Sequence, residues 1–225
     1  MHGARTPGLR PALSRRLLER MTAILVLAQQ KGGAGKTTLA VQLAHAFAAR
    51  GRDVRLADLD PQRSLTRWAG LRQASDIPCE TIPEWQAGTG LKKAARDVDL
   101  LVVDCPGNAD ILLRAALRAA HLVLIPVQPS PLDAWAAAPT LEACLKEKAR
   151  HSIVLNRVPP RGGALEATRE ALSDHPILPE TLGARVAFST AFLQGRAAAE
   201  THPRSKAAAE VSALADAVAE RLPTS

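Results

Sequence analysis

Gln30-Lys31-Gly32-Gly33-Ala34-Gly35-Lys36-Thr37-Thr38 lies between two stretches of opposite character. Before it, Ala23–Ala28 is an unbroken apolar run, short enough for a strand buried on both faces. After it, residues 36–50 place apolar side chains at helical spacing, and Gly51 suits a left-handed helix stop. The stretch therefore reads as strand, glycine-rich turn, helix. Closely spaced glycines let backbone N–H groups curl around an anion, and the helix N-terminus adds a favourable dipole. Lys36 is placed to reach β- and γ-phosphates, and the Thr37 hydroxyl to ligate Mg²⁺. The glycine that usually opens such a loop is replaced here by Gln30. Lys31 is an additional cation that need not face the loop's own phosphates. It reads either as a solvated surface lysine or as a charge that stabilises a phosphoryl group on a neighbouring subunit's nucleotide.

Outward from the loop, strand and helix signals alternate. Val54–Asp58, Leu100–Asp104, Leu122–Val127 and Ile153–Asn156 are short runs rich in Val, Leu and Ile. Runs without polar alternation suit a parallel sheet covered on both faces. Helical patterns fall at 62–72, 88–97, 108–119, 132–149, 163–173 and 205–222, and Val186–Phe188 reads as a final edge strand. Residues 74–87, with Pro78, Pro83 and Trp85, read as an irregular insertion. The expected fold is α/β, a mostly parallel twisted sheet flanked by helices on both faces. We expect one domain over 21–225, with residues 1–20 a flexible arm or a mis-assigned start before Met21.

Composition narrows the function. Hydrophobic residues make up 47% of the 225 and charged residues 23%, which is a globular balance. Three cysteines without C-x-x-C spacing argue against a disulfide scaffold or a cysteine-rich zinc site. No apolar stretch is long enough to span a bilayer. Gln29, Gln30 and Lys31 directly after the first apolar run argue against a secretory leader, so a cytoplasmic protein is expected. Of the net charge of +7, residues 1–20 carry +4, and residues 151–225 balance eight basic against eight acidic side chains. Such a balance permits nucleic-acid binding without requiring it.

Lys31 to Thr38 resembles the deviant Walker A motif of the ParA/MinD superfamily of ATPases. Asp58-Leu59-Asp60-Pro61-Gln62 resembles the motif after the second strand in ParA proteins. Leu101-Val102-Val103-Asp104-Cys105-Pro106-Gly107 is similar to their Walker B strand and second switch. The resemblance implies a P-loop NTPase fold of the deviant Walker type and a slow, Mg²⁺-dependent, dimer-activated ATP hydrolase. It implies that Gly32, Gly33, Ala34, Gly35, Lys36, Thr37, Thr38 and Gly107 bind ATP, and that Lys31 crosses the interface of a homodimer that sandwiches two nucleotides. Asp60 would position the attacking water and stand near the metal, with Thr37 and Asp104 as metal ligands and Asp58 in support. Asn156 resembles the family's base-contacting Asn, although Asn also ends many strands as a turn residue. Pro126 in Pro126-Val127-Gln128-Pro129 occupies a loop that would line the base pocket.

Relatives divide by output. The position seven beyond Asp104 is Ile111 and the cysteines fall elsewhere, unlike the cluster-bearing reductases. The last helix carries Glu210, Asp216 and Glu220, a poor match to a basic membrane-binding helix, so no membrane partner is expected. Twenty residues before Met21 are too few for an N-terminal helix-turn-helix domain. The remaining expectation is a small ParA-type ATPase that binds DNA non-specifically in its ATP state. It would position a plasmid, chromosome region or protein cargo through a ParB-like or other adaptor, and would be nucleoid-associated. Arg185, Arg196, Arg204 and Lys206 are the DNA-binding candidates, with Lys92, Lys93 and Arg96 behind them; each is otherwise an ordinary solvated charge. The arm's Leu13, Leu17 and Leu18 with Arg15, Arg16 and Arg20 also fit a short basic amphipathic helix. The alternatives are a P-loop metabolite kinase or ligase of the dethiobiotin synthetase type, or an orphan spatial regulator acting on a non-DNA matrix.

Overall fold

A computed structural model describes residues 22–107, 110–161 and 164–223; the N-terminal arm and Met21 lie outside the described residues. The strands are β1 (Ala23–Leu27), β2 (Val54–Asp58), β3 (Cys79–Thr81), β4 (Leu100–Asp104), β5 (Leu122–Val127), β6 (His151–Val158) and β7 (Ile177–Gly183). They form one seven-stranded sheet in the order β3-β2-β4-β1-β5-β6-β7, and every pairing is parallel. The helices are α1 (Lys36–Ala48), α2 (Ser64–Leu71), α3 (Ala87–Ala94), α4 (Asp110–Ala119), α5 (Pro131–Lys146), α6 (Leu165–Ala171), α7 (Val186–Phe192), α8 (Ala198–Thr201) and α9 (Lys206–Ala219).

Successive side chains of a strand point to opposite faces, and the core divides accordingly. Ala23, Leu25 and Leu27 join Leu56, Leu100, Val102, Leu122 and Leu124 under α1, α2 and α7–α9, where Phe47, Trp68, Phe188 and Leu214 cover them. Ile24, Val26 and Ala28 join Leu101, Val103, Val123 and Ile125 under α3–α6, where Leu91, Leu112, Leu117 and Leu141 cover them. The unbroken apolar strands are thus explained by two buried faces rather than one. The central strand, β1, lies between β4 and β5, where the chain changes direction across the sheet. In open parallel sheets that switch point opens a crevice beyond the strand ends, and the glycine loop leaves β1 there.

Two expectations are corrected. Val186–Phe188 begins α7, not an edge strand; Phe188 is buried against the α1 side of the core, and the edge strand is β7. The stretch 74–87 contains β3, whose Cys79, Glu80 and Thr81 pair with Leu56, Ala57 and Asp58. Three residues without an apolar run carry no strand signal of their own; backbone pairing to β2 makes the strand.

Candidate functional site

The loop after β1 is built by conformations that only glycine accepts readily. Gly33 has φ 77° and Gly35, at the N-cap of α1, has φ 97°. Side chains from distant elements then brace the loop. Gln30 N–H donates to Thr140 Oγ1 of α5 (3.1 Å), Asn156 Nδ2 of β6 to the Ala34 carbonyl (2.8 Å), and Gln128 Nε2 to the Gly33 carbonyl (3.3 Å). A cavity of about 600 Å³ opens over it, lined by Gly32, Gly33, Gly35, Lys36, Thr37, Thr38, Asp60, Pro61, Gly107, Arg157 and Phe192 among others. A second cavity of about 350 Å³ adjoins it, bounded by Asn156 and residues 183–189, and shares Gly35, Thr38 and Arg157 with the first.

Lys36 is buried, and its Nζ donates to the Gln29 carbonyl (2.9 Å). Thr37 Oγ1 donates to Asp104 Oδ2 (2.6 Å) at the end of β4. Asp104 is fully buried, and its Oδ1 has no hydrogen-bond partner. Burial pushes this carboxyl up to about 7; the Thr37 bond opposes the shift and the nearby Asp58 adds to it. An orphaned buried carboxylate oxygen beside a hydroxyl, at the floor of a glycine cradle, fits Mg²⁺. No cluster of three or more His, Cys, Asp or Glu side chains that could hold a metal ion occurs among the described residues. A hard cation here would accordingly take Thr37 and Asp104, with phosphates and water filling the other positions.

The two aspartates after β2 separate by role. Asp58 is buried and accepts from Thr66 N–H (2.8 Å), Thr66 Oγ1 (2.7 Å) and Asp60 N–H (3.1 Å), anchoring the start of α2. Asp60 faces the cavity, with Oδ1 accepting Gln62 N–H (2.9 Å). Gly107 also lines the cavity, and a Cβ there would meet the Gln30 carbonyl at 2.8 Å. The loop after β4 therefore sits against the glycine loop itself.

Lys31 turns away. Its Nζ pairs with Asp133 Oδ1 at 2.8 Å, at the start of α5, and it is absent from the cavity lining. Asp133 is held by Ser130, the N-cap of α5. Pro126 lies within β5 and lines neither cavity; its carbonyl accepts from Gln29 Nε2 at 3.5 Å. The 183–189 segment, rather than Pro126, borders the cavity beside the glycine loop. Asn156 is buried as a brace, with Oδ1 accepting Arg157 N–H (2.9 Å). Arg157, Phe192 and Asp133 were not recognised from the sequence, because tertiary juxtaposition alone brings them to the loop.

The basic candidates differ. Arg185 pairs with Glu210, and Arg196 Nη2 donates to the Glu200 carbonyl (2.9 Å). Arg204 and Lys206 are exposed. Lys92, Lys93 and Arg96 belong to α3 and its C-terminal turn, on the opposite side of the sheet.

A parallel sheet with a glycine phosphate cradle, a buried lysine and a hydroxyl–carboxylate pair defines a nucleotide-binding P-loop protein. The CobQ/CobB/MinD/ParA nucleotide binding domain family matches residues 25–198, and the chain belongs to that family. It is a ParA/MinD-type protein of the deviant Walker A class, whose members are P-loop ATPases. It is 33% identical over 198 residues to "Maintenance of carboxysome distribution protein A" of Halothiobacillus neapolitanus, covering 83% of this chain and 91% of that protein. It is also 33% identical over 187 residues to "Protein ParA" of Rhizobium radiobacter, covering 76% and 83%. Among solved structures, the septum site-determining protein MinD of Pyrococcus horikoshii OT3, complexed with Mg-ADP, superposes with a TM-score of 0.73 at 19% identity, covering 88% and 96%. No helix among the described residues is long and apolar enough to cross a membrane.

Proposed function

We propose that this chain is a Mg²⁺-dependent ATPase that dimerises on ATP, binds DNA without sequence preference in that state, and positions a cargo through a ParB-like or other adaptor. The observation that carries this reading is the division of labour between two lysines in one loop. Lys36 lines the cavity over its own loop, whereas Lys31 is held outside it by Asp133. A cation displayed beside the cavity, and not used in it, suits service to a facing copy's nucleotide. The magnesium held by Thr37 and Asp104 would neutralise phosphate charge. Lys36 would bind the terminal phosphates, and Asp60 would orient the water that attacks them.

Arg204 and Lys206 flank Ser205, which caps α9 by accepting Ala208 N–H (3.2 Å). A basic pair at a helix N-terminus suits a backbone phosphate. Two such ends in a dimer would double the footprint and make binding depend on dimerisation. The relatives named for carboxysome distribution and ParA support a positioning output, and the same cycle on the nucleoid would place the protein in the cytoplasm.

The test is binding of the full chain to random-sequence duplex DNA, comparing ATP plus Mg²⁺ with ADP plus Mg²⁺ at moderate salt. Binding with ATP alone, weakened by Arg204→Ala with Lys206→Ala while ATPase activity persists, is the expected result. No DNA binding in either state would reject the DNA-based reading in favour of another matrix. Turnover of a small carboxylate by the monomer would instead establish the metabolite kinase.

A further inference from the structure

Arg157, near the end of β6, lies where the β6–β7 register shifts between Leu155 and Val158, and it lines the cavity over the glycine loop. Arg157 has φ 55°, the left-handed region that non-glycine residues rarely occupy and that costs free energy to hold. Its neighbour orients the peptide plane that leads into it. Asn156 Oδ1 accepts the Arg157 N–H at 2.9 Å, while Asn156 Nδ2 is committed to the Ala34 carbonyl at 2.8 Å. The glycine loop therefore holds Asn156, and Asn156 orients the peptide that links it to Arg157. What this conformation displays is an exposed guanidinium with no side-chain hydrogen bond or ion pair among the described residues. Two other arginines are occupied by contrast: Arg185 by Glu210, Arg72 by Asp76 and Glu200.

Its location is informative. Gly35, Thr38 and Arg157 are the three residues common to the phosphate cavity and the adjoining cavity bounded by residues 183–189. A nucleotide with its terminal phosphates on Lys36 must cross that seam to place its base in the second cavity. The ribose and first phosphate then lie where Arg157 stands. A guanidinium offers only donors, in a planar fork suited to phosphate oxygens.

The geometry points to Arg157 as a nucleotide-binding residue that clamps the ribose and first phosphate, a part shared by ATP and ADP. This rests on the proposed nucleotide site. Its contact is with the common portion of the two nucleotides, so it supplies affinity without distinguishing the two states.

Isothermal titration of the full chain with ATP and with ADP, each with Mg²⁺, tests this. Arg157→Ala is expected to weaken both nucleotides about tenfold and to equal extents, a loss typical of one charge-assisted contact. Arg157→Gly separates side chain from backbone, since glycine adopts φ 55° without strain. It is expected to bind as weakly as Arg157→Ala while unfolding at a higher temperature. Unchanged affinity in Arg157→Ala, recovery of affinity in Arg157→Gly, or loss confined to ATP would each overturn the assignment. Lys36→Ala serves as the reference for the site: an unaltered chain that binds neither nucleotide rejects the proposed function itself, and the clamp with it.

Discussion

Gly35→Ala is the most informative perturbation of the loop, because its cost follows from two separable features. Gly35 sits at φ 97°, and an alanine held in the left-handed region costs about 1–2 kcal/mol. A Cβ there also falls well inside van der Waals contact of Asn156 Nδ2. Asn156 would have to withdraw and release the Ala34 carbonyl, a buried bond of 2.8 Å whose loss costs about 1 kcal/mol. Together these predict a destabilisation of about 2–3 kcal/mol, or roughly 5–10 °C in melting temperature for a chain of this size. Urea unfolding of the nucleotide-free protein measures it directly. The two contributions separate in the Asn156→Ala background, where the clash is absent and the same substitution should cost only about 1–2 kcal/mol. An equal cost in both backgrounds would refute the packing argument, and a cost below about 0.5 kcal/mol would refute both parts.

Asp60→Ala should keep nucleotide affinity and lower phosphate release, because Asp58 rather than Asp60 anchors α2; unchanged turnover would remove Asp60 from the chemistry. Arg72 bridges Asp76 (2.8 Å) and Glu200 (3.0 Å) with a side chain only 4% exposed, so Arg72→Met should destabilise by about 2–3 kcal/mol. The Arg72 hydrogen bond holds Asp76 below its ordinary 3.8, and Glu200 lies below 4.5 despite burial that opposes the shift. A carboxyl lowered by folding adds stability above its unfolded value that is lost as pH falls through the folded one. Urea midpoints should therefore decline on acidification in the unaltered protein and decline less in Arg72→Met; parallel curves would contradict the pairing. Burial pushes the Cys79 and Cys144 thiols up to about 12 and Cys105 upward as well. Thiolate is then scarce near neutrality, and a disulfide reagent should modify all three much more slowly than in urea. Rapid reaction of any one in the native protein would reveal local opening at that position.

The fold was legible where physics acts locally. The apolar runs of β1, β2, β4 and β5, the glycines of the loop and Gly51 after α1 each announce an element through a few adjacent residues. Legibility ended where partners lie far apart in the chain. β3 exists through its ladder with β2, and α7 contains Val186, Ala187 and Phe188, whose strand-like composition is overridden by packing of Phe188. At the site, the chemistry-bearing types were visible: a lysine and a threonine in the loop and an aspartate ending an apolar strand. Their brackets were not. Asp133 lies over a hundred residues beyond Lys31 in sequence, and Thr140 likewise beyond Gln30. Asn156 shows the same boundary: its place in the fifth apolar run was apparent, although β6 continues past it to Val158, but its role as a brace depends on the Ala34 carbonyl and the Arg157 N–H.

The resting position of Lys36 has a thermodynamic consequence. Its ammonium is already withdrawn from solvent and lies against the Gln29 carbonyl. Folding has thus carried out the dehydration that an arriving phosphate would otherwise have to drive. On the proposed site, phosphate entry would be an exchange of one oxygen acceptor for another, neutral for anionic, around the same cation. The loop would then act as a preloaded receptor, in which the vacated carbonyl is the by-product of capture.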